Sequence, residues 1–320
     1  MGEPHGRPIV LVAMGGHAFM QKGETGTIGE HERNAEVIAG LLMSLVERDY
    51  HLVITHGNGP QVGGLLLQQE LSKAEVPDMP LDVLVAMTEG SLGYILQQSL
   101  LNELRKRQVR RYVVTMVTQV LVDAKDPAFS NPTKPIGPFL SKEEAERRRE
   151  ERNWKIKEDA GRGWRRVVPS PHPVRVIQRD MVRDAARHGH IVVACGGGGI
   201  PITKDEHDHY VGVEAVIDKD LTSSVLASDI GAALLIILTA VPQVYVNFGK
   251  PDQRALGAVT LEEIEEYFAK GHFEAGSMGP KIEAVIQFLR AGGRRALITN
   301  PESLPHAIEG RAGTHFVGKI

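Results

Sequence analysis

Apolar positions along this chain follow two alternating rhythms. Short aliphatic or β-branched runs, Ile9 to Ala13, His51 to Thr55, Ile191 to Val193 and Ala232 to Thr239, have the length of buried strands. Between the first two, Ala35, Ile38, Leu42, Leu45 and Val46 share one side of a helix expected over Glu30 to Arg48. Helices are also expected over Gln61 to Leu71, Leu81 to Arg107, Leu221 to Ile230 and Leu261 to Lys270. Another is expected over Ile282 to Ala291, with Pro280 at its first turn. Arg110 to Asp123 alternates as a single strand should, and Val244 to Phe248 reads as a short one. The chain closes with a strand over Arg295 to Thr299, a short helix and a strand around His315 to Val317. Strands alternating with helices imply an α/β fold built on a parallel sheet.

Three of the strands run into glycine. The first ends in Met14-Gly15-Gly16-His17, the second in His56-Gly57-Asn58-Gly59-Pro60, and the third passes Cys195 into Gly196 to Gly199. Ligands of parallel sheets bind beyond the carboxyl ends of the strands, and glycine lets backbone N–H groups come close to an anion. Asp218-Lys219-Asp220 then precedes the Leu221 helix, which reads as capped by an aspartate. That places Lys219 at the positive end of a helix, where phosphate is favoured. Glycine runs also occur in turns that bind nothing, but three such loops in one chain are hard to treat as unrelated.

Composition narrows the partners. At 320 residues and 42% apolar content, the chain can bury one large α/β domain or two lobes. Its 37 basic and 40 acidic side chains balance, so no broad field points to nucleic acid or a membrane surface, and a small molecule is the expected partner. The lone Cys195 excludes an intramolecular disulfide and a cysteine-rich zinc site, and fits a reducing compartment. With no membrane-length apolar run and no leader-like N-terminus, a soluble, cytoplasmic protein is expected. From Asp123 to Pro171 the composition shifts to prolines, both tryptophans and a charge run over Glu143 to Arg152, which reads as an inserted, protruding subdomain. Arg147, Arg148, Arg149 and Arg152 are expected on the solvated face of a helix. Cys195 reads as packed rather than nucleophilic, and His207 and His209, beside Asp205, Glu206 and Asp208, as a solvated turn rather than a metal site. No residue is nominated as a metal ligand.

Fixed lysines and backbone donors are what phosphoryl transfer requires, because negative charge on the equatorial oxygens must be met. The GxxxxGK[ST] loop and the protein-kinase signatures are absent. The segments HGNGPQVG (His56 to Gly63), TQVLVDAKDPAFSNPTKPIGP (Thr118 to Pro138), RRVVPSP (Arg165 to Pro171), CGGGGIP (Cys195 to Pro201), GVEAVIDKDL (Gly212 to Leu221), NFGKP (Asn247 to Pro251) and GSMGPKIEA (Gly276 to Ala284) together resemble the carbamate kinases, of the amino-acid-kinase superfamily, over essentially the whole chain.

The resemblance implies an open three-layer α/β/α sandwich with a mainly parallel sheet, a homodimer, and reversible phosphoryl transfer between ATP and carbamate in arginine metabolism. Magnesium would ride mainly on the nucleotide phosphates. An acceptor lobe over 1–190 would carry a lid over 123–171, and 191–320 would bind nucleotide. Position by position, the resemblance implies that Lys219 and Lys281 stabilise the transferring phosphoryl, that Asp218 holds them, and that Lys134 reaches over the site from the lid. Gly15, Gly16, His17, Gly57, Asn58, Gly59, Gly197 and Gly198 would serve the acceptor. Thr239, Ala240, Tyr245, Met278, Gly279 and Lys281 would serve ATP or ADP. Three positions depart from the pattern: His17 stands for asparagine, Ala240 for aspartate and Glu89 for glutamine. Glu89 is expected to add negative charge near an anion site. The departures leave open a kinase for another small acid or carbamoyl compound, or a silent nucleotide- or anion-binding sensor.

Overall fold

The computed structural model describes residues 7–15, 18–21, 23–158, 163–274 and 276–318. In chain order the first strands are β1 (Ile9–Met14), β2 (His51–His56), β3 (Val113–Thr115), β4 (Gln119–Val122), β5 (Lys134–Leu140), β6 (Ile156–Glu158), β7 (Trp164–Val168) and β8 (Pro173–Val176). They are followed by β9 (Ile191–Val193), β10 (Ile200–Lys204), β11 (Tyr210–Gly212), β12 (Leu234–Leu238), β13 (Val244–Val246), β14 (Arg254–Leu256), β15 (Ala258–Thr260), β16 (Arg295–Thr299) and β17 (Thr314–Val317). The helices are α1 (Ile28–Val46), α2 (Gly59–Ser72), α3 (Leu81–Lys106), α4 (Lys142–Arg152), α5 (Arg179–Arg187), α6 (Lys219–Asp229), α7 (Leu261–Ala269), α8 (Gly279–Arg290) and α9 (Leu304–Ala307).

β1 is buried at every position, and its alternate side chains enter two different cores. Leu11 and Ala13 join Val53, Val192, Leu235 and Ile237 beneath α6 and α8, while Val10, Val12 and Met14 join Ile54, Val193 and Ile236 beneath α1 and α3. Covering both faces of one sheet explains why these strands read as continuous apolar runs instead of alternating ones. The order across the sheet is β15-β17-β16-β12-β1-β2-β9-β3, with parallel pairing throughout except between β16 and β17. The fold is thus the open α/β/α sandwich with a mainly parallel sheet. β9 lies between β2 and β3, so early and late parts of the chain share this sheet.

The structure splits the expected strand over Arg110 to Asp123. β3 stays in the central sheet, while β4 joins a smaller sheet ordered β11-β10-β4-β8. The cause lies outside the strand: the Thr118 N–H and hydroxyl bond the carboxyl of Glu89 on α3 at 2.9 and 2.6 Å, turning the backbone away from the ladder. α1 begins earlier than the apolar rhythm indicated, because Thr27 and Glu30 form a reciprocal capping box worth about 1 kcal/mol.

Within the Asp123 to Pro171 segment, β5, β7 and β6 form an antiparallel sheet with α4 beside it. This sheet docks on α2 through a close backbone approach: a methyl group at Gly63 would lie 2.0 Å from Gly137 N. Glu70 of α2 accepts from Arg152 Nη1 and Trp154 Nε1, each at 2.8 Å, and also from Arg166. Arg148 lies over the Trp154 ring, 5.0 Å from its centre. The charge run is therefore not only a solvated face. Arg147 and Arg149 are exposed, whereas Arg148 and Arg152 are held against the tryptophan and the acid. Among the described residues no helix is long and apolar enough to cross a membrane.

Candidate active site

The carboxyl ends of β1, β2 and β9 lie side by side, because the three strands are parallel and adjacent. The glycine loops that follow them therefore meet at one edge of the sheet. Gly57 N–H donates to Met14 O at 3.1 Å, joining the first two loops. Asn58 is buried at the N-cap position of α2, but its side chain does not cap that helix and instead donates from Nδ2 to Thr88 Oγ1 at 2.8 Å. Gly197 sits against it: its φ is +68°, and a Cβ there would lie 2.1 Å from Asn58 Nδ2, so glycine is required on both counts. Thr222 of α6 donates to Gly198 O at 2.8 Å and ties the third loop to the helix carrying Lys219. Gly15 and Gly59 stand at the same edge, while Gly16 and His17 lie outside the described residues.

Asp218 is the N-cap of α6, accepting from Asp220 N at 2.9 Å. Its other oxygen accepts from Lys134 Nζ at 2.5 Å, so β5 of the inserted segment reaches the start of α6. The two remaining lysines are held by a residue the sequence reading overlooked. Asp220, almost fully buried, accepts from the neighbouring Lys219, and from Lys281 Nζ at 3.1 Å. Asp218 thus holds Lys134, and Asp220 holds the pair assigned to Asp218. The DKD spacing could have signalled this: in the first turn of a helix, residues two apart diverge, so one carboxylate cannot serve every lysine.

Three ammonium groups against two carboxylates leave one uncompensated positive charge in this cluster. Burial works to raise the pKa of Asp218, but Lys134 foremost, with Lys219 and Lys281, carries it well below the usual carboxylate range. Asp220 is likewise held down by Lys219 and Lys281 against its burial. Burial pulls Lys219 below the usual lysine value, with Lys281 adding to the effect and Asp220 opposing it. For Lys281 burial is outweighed by Asp220 and Asp218, and its pKa is raised.

Of the residues expected to serve a nucleotide, two stand at the same sheet edge. Thr239 and Ala240 follow β12, whose carboxyl end points the same way as that of β1. Thr239 N–H donates to Thr299 O at 2.9 Å, and Ala240 is exposed. Tyr245 on β13 packs against Phe248 with the rings tilted and their centres 5.8 Å apart. Met278 is the N-cap of α8, Gly279 begins it, and Lys281 in its first turn also donates to Ser277 O at 3.2 Å. Of this group, Lys281 directly joins the lysine and carboxylate cluster.

The remaining candidates resolve plainly. Cys195 is buried and burial pushes its thiol up, so it is not a thiolate nucleophile. His207 and His209 stand exposed in the turn between β10 and β11, where His209 Nδ1 lies 3.5 Å from Asp205. Glu89 departs from expectation. Burial raises its pKa to about 8, against bonds from Thr118 and Gly196 that lower it, so at neutral pH it adds no negative charge beside the loop.

A mainly parallel α/β/α sandwich with glycine loops and a lysine cluster at its carboxyl edge defines a phosphate-handling kinase architecture, and the chain belongs to the amino acid kinase family, whose model matches residues 8–300. Within that family it belongs with the carbamate kinases. The carbamate kinase of Thermococcus kodakarensis is 47% identical over 311 residues, covering 96% of this chain and 98% of the relative. The structure is also similar to carbamate kinase from Giardia lamblia bound to citric acid, with a TM-score of 0.93 and 38% identity over 98% of this chain and 99% of that one. The same Giardia enzyme bound to AMP-PNP matches with a TM-score of 0.89 and 39% identity over 98% and 99% of the two chains.

Proposed function

We propose that this chain catalyses reversible phosphoryl transfer between ATP and carbamate, giving carbamoyl phosphate and ADP. The bond from the γ-phosphorus to its bridging oxygen breaks as a carbamate oxygen bonds to that phosphorus. The observation that carries this reading is the lysine cluster with one unpaired positive charge, set against amide-rich glycine loops. Relatives named carbamate kinase, and a similar structure holding AMP-PNP, support the acceptor and the nucleotide.

In this reading Lys219 and Lys281 meet the charge that spreads over the equatorial oxygens during transfer, with Asp220 keeping both in place. Lys134 covers the acceptor, aligned by Asp218. Gly15, Gly16, His17, Gly57, Asn58, Gly59, Gly197 and Gly198 serve the acceptor and the phosphoryl group. Thr239, Ala240, Tyr245, Met278 and Gly279 flank the nucleotide. Magnesium enters with the nucleotide as part of the substrate, since ammonium and amide donors attract phosphate oxygens rather than a divalent cation. Residues 1–190 form the acceptor side, 191–320 the nucleotide side, and 123–171 the lid; β9 within the shared sheet makes these two sides of one body. A cytoplasmic setting fits an ATP-using enzyme with one buried thiol.

A homodimer is part of the same proposal. It is supported by an apolar stripe on α3, where Val83, Met87 and Tyr94 are exposed at helical spacing; Leu71, Val76 and Met79, which precede α3 in the chain, are exposed as well.

The test is ATP formation from MgADP and carbamoyl phosphate by the purified protein. Activity is expected, and Lys219→Ala is expected to lower it by about 10²–10³-fold, as for loss of one charge-stabilising donor. Absence of turnover in a protein that still binds ADP would reject carbamate as the acceptor.

A further inference from the structure

At the amino end of the central sheet, opposite the glycine loops, several arginines meet one carboxylate. The parallel register sets the starts of β1, β2, β9 and β3 side by side, and His51 N–H donates to Pro8 O at 3.0 Å. Arg7 precedes β1, and its Nη2 lies 3.1 Å from Asp49 Oδ1. Arg111, ahead of β3, approaches the same oxygen only to 4.0 Å. The Arg111 side chain is 9% exposed, and its hydrogen bond among the described residues runs from Nη1 to Tyr50 O at 2.8 Å. A guanidinium so covered, with most of its donors unused and its carboxylate shared, lacks the partner that a buried charge requires.

Two more groups meet at the same place. His51 shares its face of β2 with Val53, which packs in one core with Val182 and Ala186 of α5. The His51 side chain is buried, and its Nδ1 has no hydrogen-bond partner among the described residues. Arg187 ends α5 next to Ala186 and makes no ion pair among the described residues; Asp184, one turn earlier, lies 3.2 Å from Arg183 instead. Burial lowers the His51 pKa, and Arg111, Arg7 and Arg187 add to the effect, so the imidazole is neutral and its Nδ1 can hold a proton to donate. Asp49, with its side chain 69% exposed, is a weak counter-charge for three arginines.

We propose that Arg7, Arg111, Arg187 and His51 Nδ1 form an anion site, for a phosphate-class oxyanion, on the sheet edge away from the lysine cluster. Guanidinium groups match the oxygens of such an anion in pairs, and the imidazole supplies one further donor. β1 and β2 each span about 20 Å from this edge to the glycine loops, so an anion held here does not touch Lys219 or Lys281. The site takes no part in phosphoryl transfer and stands whether or not that reading holds.

The test is a titration of the purified protein with inorganic phosphate at constant ionic strength, followed through the imidazole signals of His51 in NMR, which are assigned by their loss in His51→Gln. The signals should move saturably, move in the same way in Lys219→Ala, and stay still in Arg111→Gln. Arg187→Gln, at an exposed helix end, should also abolish the movement without disturbing a buried group. Asp49→Asn removes the competing carboxylate, and asparagine suits the left-handed backbone there, at φ +61°. Phosphate should bind that variant about two- to fivefold more tightly, the range for an exposed ion pair. Glycerol phosphate in a parallel titration separates two sources: movement with both probes assigns the site to phosphate monoesters as well, and movement with inorganic phosphate alone assigns it to the free ion. Movement that chloride reproduces, that disappears in Lys219→Ala, or that persists in both arginine variants would overturn the proposal, as would unchanged or weaker binding in Asp49→Asn.

Discussion

At the scale of single residues, the site is organised by Asp220 as much as by its lysines. Its carboxylate is shared by Lys219 and Lys281, and both ammonium groups lie in surroundings where an uncompensated charge is expensive. Asp220→Asn takes the cluster from one excess positive charge to two. Leaving buried charge unpaired costs about 3–5 kcal/mol, so the variant should melt at a markedly lower temperature. Added phosphate or ADP should recover more of that loss than it adds to the wild type, because the anion replaces the missing carboxylate. Differential scanning fluorimetry with and without ligand measures both effects. An unchanged melting temperature would mean that the lysines are held by something else. The sequence made Lys219, Lys281 and Asp218 legible by type and by resemblance. It did not separate the duties of Asp218 and Asp220, because their divergence depends on how the first turn of α6 faces β5 and α8.

At the scale of elements, α2 links the acceptor loop to the inserted sheet. Its start is Asn58-Gly59, its middle touches β5 at Gly63 and Gly137, and near its end Glu70 gathers Arg152, Trp154 and Arg166. The strand it supports delivers Lys134 to Asp218. Hydrogen bonds between charged partners contribute about 1.5–3 kcal/mol, and Glu70 makes more than one. Glu70→Ala should therefore loosen the sheet from α2. Faster limited proteolysis within 123–171 and a lower kcat are expected, with ADP affinity little changed because Lys281 lies elsewhere. Equal cleavage rates would show that the Gly63 to Gly137 contact suffices alone. This docking was hidden in the sequence: the arginines of α4 look solvated by charge count, and only the fold brings Glu70 across from another helix.

At the scale of the whole molecule, one sheet edge collects loops from β1, β2 and β9, the start of α6 and the start of α8. The apolar stripe of α3 bears on assembly. If it joins two copies, light scattering after size exclusion should report a dimer. Met87→Asp, on the exposed side of that helix, should then yield monomers that retain their fold. A wild-type monomer at micromolar concentration would reject the homodimer.

By itself, the sequence determined most of the strands of the central sheet, the helices between them and the chemistry. Apolar runs sized for doubly covered strands, helical spacing between them and glycine at strand ends follow from local periodicity and backbone sterics, which operate within a few residues. It missed the break between β3 and β4, because Arg110 to Asp123 alternates throughout and the residue that turns Thr118 aside, Glu89, is on a different helix. The tertiary structure alone decided which aspartate holds which lysine, which arginines are covered, and whether Glu89 is charged. Each depends on groups far apart in the chain and on their removal from water, and neither separation nor burial is written into any local pattern.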